Sequence, residues 1–197
     1  MTRTLDPQQE AEEKALVRGA QEGDDSAFGE LVRMHQDRLY GFALRFLRDK
    51  HEAQDAVQET FLAFHRSLAK YQPLRPLSVW LFTVCANLCR SRLRRRKIVK
   101  FLTFSDLSQN EESLPPDWAA EKPDPGQAAE SEESVRRLHR LILGLPEKLR
   151  MPLVLRHFHG ASDEDVASIL GISISNVRVR MHRAKEQLWN SFTEVSP

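Results

Sequence analysis

A chain of 197 residues can hold one domain or two small ones, and 41% hydrophobic residues suffice for packed cores. Leu, Ala, Glu and Arg dominate while Thr and Tyr are few, which favours helix over sheet. The formal net charge of +1 hides a segregation, with seven bases and no acid from Arg90 to Lys100, and nine acids against one base, Lys122, from Ser105 to Ser134. Such polarity along a chain points to distinct surfaces for distinct partners.

No run approaches the roughly 18 apolar residues of a membrane span. Met1 to Glu13 is polar and acidic, unlike a signal peptide. The expectation is a cytosolic protein without membrane insertion. Two cysteines, Cys85 and Cys89, stand four apart on one helical face. A cytosolic setting argues against a disulfide between them. Buried small thiols are the plain reading, with a redox or metal sensor as the other.

Four helical patterns fill the first hundred residues. A short one spans about Glu12 to Gln21 and ends at Gly23. The second follows the cap signal Asp24-Asp25-Ser26, with Phe28, Leu31, Val32, His35, Leu39, Phe42, Ala43 and Phe46 repeating at three and four. The third covers about His51 to Lys70, its apolar side being Ala53, Val57, Phe61, Phe64 and Leu68. Tyr71-Gln72-Pro73-Leu74-Arg75-Pro76 then breaks the helix, because each proline removes an amide donor and restrains its predecessor. The fourth runs from near Leu77 to about Lys100, aromatic at its start and arginine-rich at its end. From about Leu102 to Ser134 periodicity fails. Pro115-Pro116, Pro123 and Pro125-Gly126 stand there among acids and serines, the composition of a linker.

Helical patterning resumes at Glu133 to Leu143. Pro146 suits a first helical turn, and Met151 to Phe158 follows, stopped around Gly160. Ser162 stands three residues before Asp165, the spacing of a capping box. A short helix, Asp163 to Leu170, ends at Gly171, a left-handed stop. Ser173 caps a last helix reaching about Phe192. This is the grammar of a helix-turn-helix: small Ala167 permits close approach, Gly171 turns the chain, and Val166, Ile169, Ile172, Val177 and Met181 close a shared core. Ser175, Asn176, Arg178, Arg180 and Arg183 are left on or near the outer surface of the second helix. Arg and Asn there can read base edges and Ser can hold phosphate. Taken singly, each of these residues also fits a helical hairpin with a solvated basic face.

Two segments of the first bundle exceed generic helix. One is Asp55-Ala56-Val57-Gln58-Glu59-Thr60-Phe61-Leu62. The other is Trp80-Leu81-Phe82-Thr83-Val84-Cys85-Ala86-Asn87-Leu88, leading into Arg90, Arg92, Arg94, Arg95, Arg96 and Lys97. Aromatics before a basic tract suit stacking on bases while arginines hold the backbone, although core aromatics with a solvated tail give the same composition. In this order and spacing the two segments, with the helix-turn-helix and Leu145-Pro146-Glu147-Lys148-Leu149-Arg150 followed by Leu155-Arg156-His157-Phe158, resemble the extracytoplasmic-function (ECF) sigma factors of bacterial RNA polymerase. The resemblance covers about Gly23 to Leu188 apart from the linker. Two departures are a Pro73-Leu74-Arg75-Pro76-Leu77-Ser78 loop where a Gly- or Asp-containing one is frequent, and Cys85-Ala86 where Ala-Arg often precedes the asparagine.

The resemblance implies an all-α fold of two small helical domains. Residues 1–22 would be an extension with a short helix, and 23–100 a region 2-like domain binding core polymerase and the minus-ten element. A flexible acidic linker would cover 101–132, and a region 4-like helix-turn-helix domain, reading the minus-thirty-five element, 133–192. It places Asp55, Gln58 and Glu59 on the face that docks the polymerase clamp. Arg66, Lys70, Arg75, Ser78, Trp80 and Asn87, with Arg90 and Arg94 beyond, fall at the minus-ten DNA, and Ser175, Asn176, Arg178, Arg180 and Arg183 at the minus-thirty-five DNA. It also implies promoter DNA, core enzyme and an anti-sigma factor as partners of a chain that is monomeric when free.

A stand-alone helix-turn-helix regulator with a dimerising first bundle is the alternative, separable by whether duplex binding requires polymerase. No HExxH, CxxC, nucleophile elbow or phosphate loop accompanies the seven histidines. No catalytic residue, metal ligand or cofactor is assigned, since His157, His159 and distant Cys85 would meet a metal only by accident of folding.

Overall fold

The computed structural model describes residues 7–72, 75–103 and 137–193. Among them the regular structure is helical, without strands. In chain order the helices are α1 (Pro7–Gln21), α2 (Asp25–Leu47), α3 (Lys50–Ser67) with a 3-10 turn Leu68–Lys70, and α4 (Leu77–Thr103). There follow α5 (helical over 137–144), α6 (Glu147–His159), α7 (Asp163–Leu170) and α8 (Ile174–Thr193). The chain divides into two compact units, one built on α1–α4 and one on the helices beyond the acidic stretch. Most of the expected linker, and the expected start of a helix at Glu133, lie outside the described residues.

In the N-terminal unit the apolar stripes of α2, α3 and α4 meet around Phe42, Phe46, Phe64, Leu31, Leu39 and Leu81, all buried. The rings of Phe42 and Phe46 are 4.8 Å apart, and Phe82 meets Phe42 edge-on at 5.4 Å. Cys85 and Cys89 are fully buried on the inner face of α4 and are not joined in a disulfide. Asp24 caps α2 by accepting from the amides of Ser26 and Ala27, and Asp49, not singled out in the sequence, caps α3 by accepting from Glu52.

Several boundaries differ from the expected ones. Helix α1 begins at Pro7, five residues early, because proline is well suited to a first helical position and Gln8, Gln9, Glu10 and Ala11 are good helix formers. Those residues bury almost nothing, so apolar periodicity cannot register them. Helix α4 runs three residues into the stretch read as linker, since neither Gly nor Pro interrupts it before Pro115. Helix α6 starts at Glu147, with Pro146 as its N-cap, and passes through Pro152. Its first turn is closed by the Leu149 and Arg150 amides on the Pro146 carbonyl, both at 2.9 Å.

The acidic extension also enters the core. Glu13 is 3% exposed and His35 4%, with His35 Nε2 lying 2.8 Å from Glu13 Oε2. The other Glu13 oxygen accepts the Leu77 amide at 3.1 Å. That amide belongs to the first turn of α4, where no intrahelical partner exists. A single carboxylate thus joins α1, α2 and the start of α4. Glu13→Ala is expected to destabilise the N-terminal unit by about 3 kcal/mol, because it leaves buried polar groups without their partner. Glu13→Gln, which keeps an acceptor for Leu77, should cost less. Urea unfolding followed by circular dichroism checks this, and equal, slight effects of the two changes would count against the cap.

The C-terminal unit has a helix-turn-helix at its centre. Asp165 donates its amide to Ser162 Oγ at 3.0 Å while Ser162 donates its amide to Asp165 Oδ2 at 3.4 Å, the reciprocal capping box. Gly171 lies at φ +65°, a left-handed turn that a Cβ would strain. Ser173 Oγ then accepts the Asn176 amide at 3.2 Å and caps α8.

Candidate polymerase and nucleic-acid interfaces

Burial on α3 falls on Ala53, Ala56, Val57, Thr60, Phe61 and Phe64. That leaves Asp55, Gln58 and Glu59 exposed together on the opposite face. Leu62, 47% exposed, lies one turn beyond Gln58 on the same stripe. The stripe borders a groove between α2 and α3 walled by Phe28, Val32, Tyr40 and Phe61 and rimmed by Asp37 and Asp55. An apolar channel with an acidic edge suits a partner helix carrying apolar anchors and bases. Sequence reasoning found the polar half of this face and missed Leu62, whose outward direction was readable from its place in the 3.6-residue period.

Of the residues assigned to the minus-ten DNA, Arg66, Lys70, Arg75, Ser78 and Trp80 lie at or beside the corner between α3 and α4. Arg66, Lys70 and Arg75 are exposed and Ser78 is half-buried. Half-buried Trp80 packs on Phe64 with ring centroids 5.5 Å apart and meets Tyr71 edge-on at 6.2 Å. Gln21 secures the corner by donating to the carbonyls of Leu68 at 2.9 Å and Tyr71 at 2.8 Å. Burial pushes the Tyr71 phenol up to about 12, and the Glu13 carboxylate adds to the push. A phenol raised in the folded state above its ordinary value near 10 contributes stability that is complete below pH 10 and lost as pH climbs towards 12. Ultraviolet titration of the native protein should therefore show a tyrosine ionising near pH 12, and Tyr71→Phe should abolish that step.

Along α4, Trp80, Asn87 and Arg94 are spaced by seven, so they form one stripe rising about 1.5 Å per residue. Asn87 and Arg94 are exposed, whereas Arg90 is half-buried and donates to the Ala86 carbonyl at 3.3 Å. The basic tract is divided in its duties. Arg92 donates to the Glu52 carbonyl and reaches Glu59 Oε1 at 2.8 Å. Arg96 reaches Glu52 Oε2 at 2.8 Å and the Leu47 carbonyl at 2.7 Å. These two arginines clasp α4 to α3 and the end of α2, while Arg94, Arg95 and Lys97 point to solvent. No sequence signal separates the two groups, because the carboxylates that hold Arg92 and Arg96 lie more than thirty residues away.

On α8, Val177, Met181 and Ala184 are buried against the rest of the unit. At about 100° per residue this leaves Ser175, Val179, His182 and Arg183 around the centre of the outer face. Arg178 and Asn176 stand towards opposite flanks, and Arg180 lies nearer the core and is half-buried. Arg180 Nε donates to Asn176 Oδ1 at 2.9 Å. Val179, 49% exposed, and His182, also exposed, are the outer-face residues that sequence reasoning passed over. An apolar side chain there suits a thymine methyl.

His157 is exposed and His159 buried on α6, and desolvation, helped by Lys185 and Arg156, holds the His157 imidazole below its ordinary range. Among the described residues no three His, Cys, Asp or Glu side chains gather as a metal site, and no helix is long and apolar enough to cross a membrane.

Family models match the two units separately, Sigma-70 region 2 over residues 31–98 and Sigma-70 region 4 over residues 135–188. The RNA polymerase sigma-H factor of Pseudomonas aeruginosa is 32% identical over 179 residues, covering 90% of this chain and 92% of that protein. This chain belongs to the ECF sigma factors. The ECF sigma factor SigE of Mycolicibacterium smegmatis is 34% identical over 172 residues, which are 84% of this chain and 63% of that protein, under two thirds of its length. Two solved structures share the fold. CnrH, in complex with the cytosolic domain of CnrY, superposes with a TM-score of 0.66 at 24% identity, covering 94% of this chain and 99% of that one. The sigma factor RpoE of Bartonella quintana, in complex with the anti-sigma factor NepR, gives 0.65 at 22% identity, covering 86% and 98%. At these identities the likeness concerns the arrangement of helices, and an ECF sigma factor of two all-helical domains is the fold read from the sequence.

Proposed function

We propose that this chain acts in the cytosol as a promoter-specificity factor, monomeric until it joins core RNA polymerase, and that its surfaces divide the work by residue. The observation that carries the reading is the pairing of two unlike surfaces in one sigma-factor chain: an acid-rimmed apolar groove on α2 and α3, and a helix-turn-helix whose second helix turns Ser175, Asn176, Arg178 and Arg183 to solvent. Asp55, Gln58, Glu59 and Leu62 dock the clamp of the polymerase. Ser175, Asn176, Arg178, Arg180 and Arg183, with Val179 between them, read the minus-thirty-five element in the major groove, each good base contact supplying about 1–3 kcal/mol.

Opening the minus-ten element costs a few kcal/mol for each base taken out of the stack. Trp80 at the duplex edge and Asn87 two turns further along the same stripe of α4 offset that cost by holding an extruded base, while Arg66, Lys70, Arg75, Ser78, Arg90 and Arg94 hold the backbone around it. The chain performs no bond chemistry in this scheme, because polymerase supplies the active site. Residues 23–100 and 133–192 act as two modest readers joined by the acidic stretch 101–132. Tethering raises the effective concentration of the second reader once the first is bound, so promoter spacing matters as well as sequence. CnrH and the Bartonella RpoE were solved with a bound CnrY domain and an anti-sigma factor, and we extend this to an anti-sigma partner that covers the polymerase-docking groove.

Run-off transcription by core polymerase from the DNA upstream of this chain's own gene tests the reading. Transcripts should appear only when the chain is added, and gel shifts of that DNA should require core enzyme. A specific shift by the free chain, with no stimulated transcription, would instead support the stand-alone regulator.

A further inference from the structure

Asp163 is held between guanidinium groups from the helices on either side of it in the sequence. Its Oδ1 lies 2.8 Å from Arg156 of α6 and its Oδ2 lies 3.3 Å from Nε of Arg178 of α8. The carboxylate is mostly covered, at 19% exposure, whereas Arg178 extends outward at 71%. A helix start favours acids, but α7 already has Glu164 and Asp165 in its first turn, and Asp165 completes the capping box. The helix terminus therefore leaves the Asp163 bridge unaccounted for.

We propose that Asp163 is a positioning residue that makes Arg178 a reader of bases rather than of phosphates; the proposal rests on the assignment of Arg178 to the minus-thirty-five element. Two physical effects act together. Asp163 takes Nε of the guanidinium and leaves its terminal nitrogens without a partner among the described residues, on a side chain that is 71% exposed. A bidentate contact to a base edge needs that planar fork in one orientation, whereas a phosphate accepts many. The second effect is electrostatic. A fixed carboxylate beside the guanidinium repels a phosphate, which carries a full negative charge, more than a base edge, which carries none. The bridge thus penalises non-specific binding more than specific binding, which widens their difference. Arg156 anchors Asp163 from behind and belongs to the same device without needing to touch DNA.

The test uses holoenzyme assembled from core polymerase and the full chain. Duplex DNA randomised across the upstream element is selected with the wild-type holoenzyme, and the ratio of affinities for the selected and a scrambled element is measured for each variant. Asp163→Asn should lower that ratio about tenfold, with binding to the scrambled element rising. Asp163→Glu should recover much of the loss, and Arg156→Gln should lower the ratio in the same direction. In an Arg178→Ala background Asp163→Asn should change nothing further, and thermal melts should keep all variants folded at the assay temperature. An unchanged ratio for Asp163→Asn, with a lowered one for Arg178→Ala, overturns the positioning role and leaves Arg178 a reader. Equal weakening on both DNAs marks Asp163 as merely structural and overturns it too. An unchanged ratio for Arg178→Ala removes both the positioning role and the assignment of Arg178.

Discussion

Gln58→Lys together with Glu59→Lys should reduce capture of core RNA polymerase by about a hundredfold, read as loss of co-elution or of a fluorescence-anisotropy shift with core enzyme. The exposed face of α3 places the two side chains beside Asp55 and above Leu62. Two lysines replace one amide and one carboxylate there, a local change of three charges. Like charges brought together at a docking surface cost several kcal/mol, and about 2.7 kcal/mol corresponds to a hundredfold. One of the two positions has a second duty, since Glu59 holds Arg92 at 2.8 Å and a lysine would repel it. Gln58→Lys alone avoids the clasp and should still weaken capture by tenfold or more, while Glu59→Gln should loosen the clasp and, by removing one docking carboxylate, weaken capture less than the double variant does. Undiminished capture by the double variant would take polymerase docking away from this face. Leu62→Ala supplies a charge-independent probe. An apolar side chain that is half-exposed when free and covered when docked should cost 1 kcal/mol or more on truncation, about fivefold in affinity.

What was legible in the sequence follows the range of the forces involved. The helix-turn-helix was readable almost residue by residue because its determinants are local. Ser162 and Asp165 are three apart, Gly171 needs only its own φ, and Ser173 caps an amide three residues on. The apolar stripes of α2 and α3 were readable for the same reason, since periodicity reports which face is covered without saying by what. Contacts between residues far apart in the sequence were not readable. Nothing near Glu13 announces that it serves His35 and the Leu77 amide 64 positions away. Arg92 and Arg96 look like their exposed neighbours until Glu52 and Glu59 are placed beside them. Arg178 likewise looks like any outer-face arginine until Asp163 is found at its Nε. Val179 was missed for a different reason, because an apolar residue in an amphipathic helix is ordinarily taken as core, although its angle on α8 puts it outside. The family resemblance marked which faces matter, and it took geometry to show which charges on them are already engaged.

Trp80→Ala should lower the yield of open promoter complex by about two orders of magnitude while leaving capture of core polymerase intact. The indole is half-buried, packed against Phe64 at 5.5 Å and Tyr71 at 6.2 Å. One surface of the ring is therefore fixed by the core and another remains uncovered, where the proposed stacking on DNA would take place. A base stacked on an aromatic ring contributes about 1–3 kcal/mol, the same scale as unstacking one base pair step, so removing the ring leaves the first extruded base without its compensation. Truncation also opens a gap beside Phe64, which destabilises the corner, and the two effects must be separated. Trp80→Phe keeps an aromatic plane and most of the packing, and should restore the fold fully and melting in part. Asn87→Ala leaves the core untouched, since Asn87 is exposed, and should impair melting without changing the unfolding midpoint. Permanganate reactivity of unpaired thymines reports the opening directly, and core-enzyme pull-down reports docking in the same samples. If Trp80→Ala opened the promoter as well as the parent chain does, the aromatic corner would be a piece of core alone, and the separation of strands would have to be driven from another part of the holoenzyme.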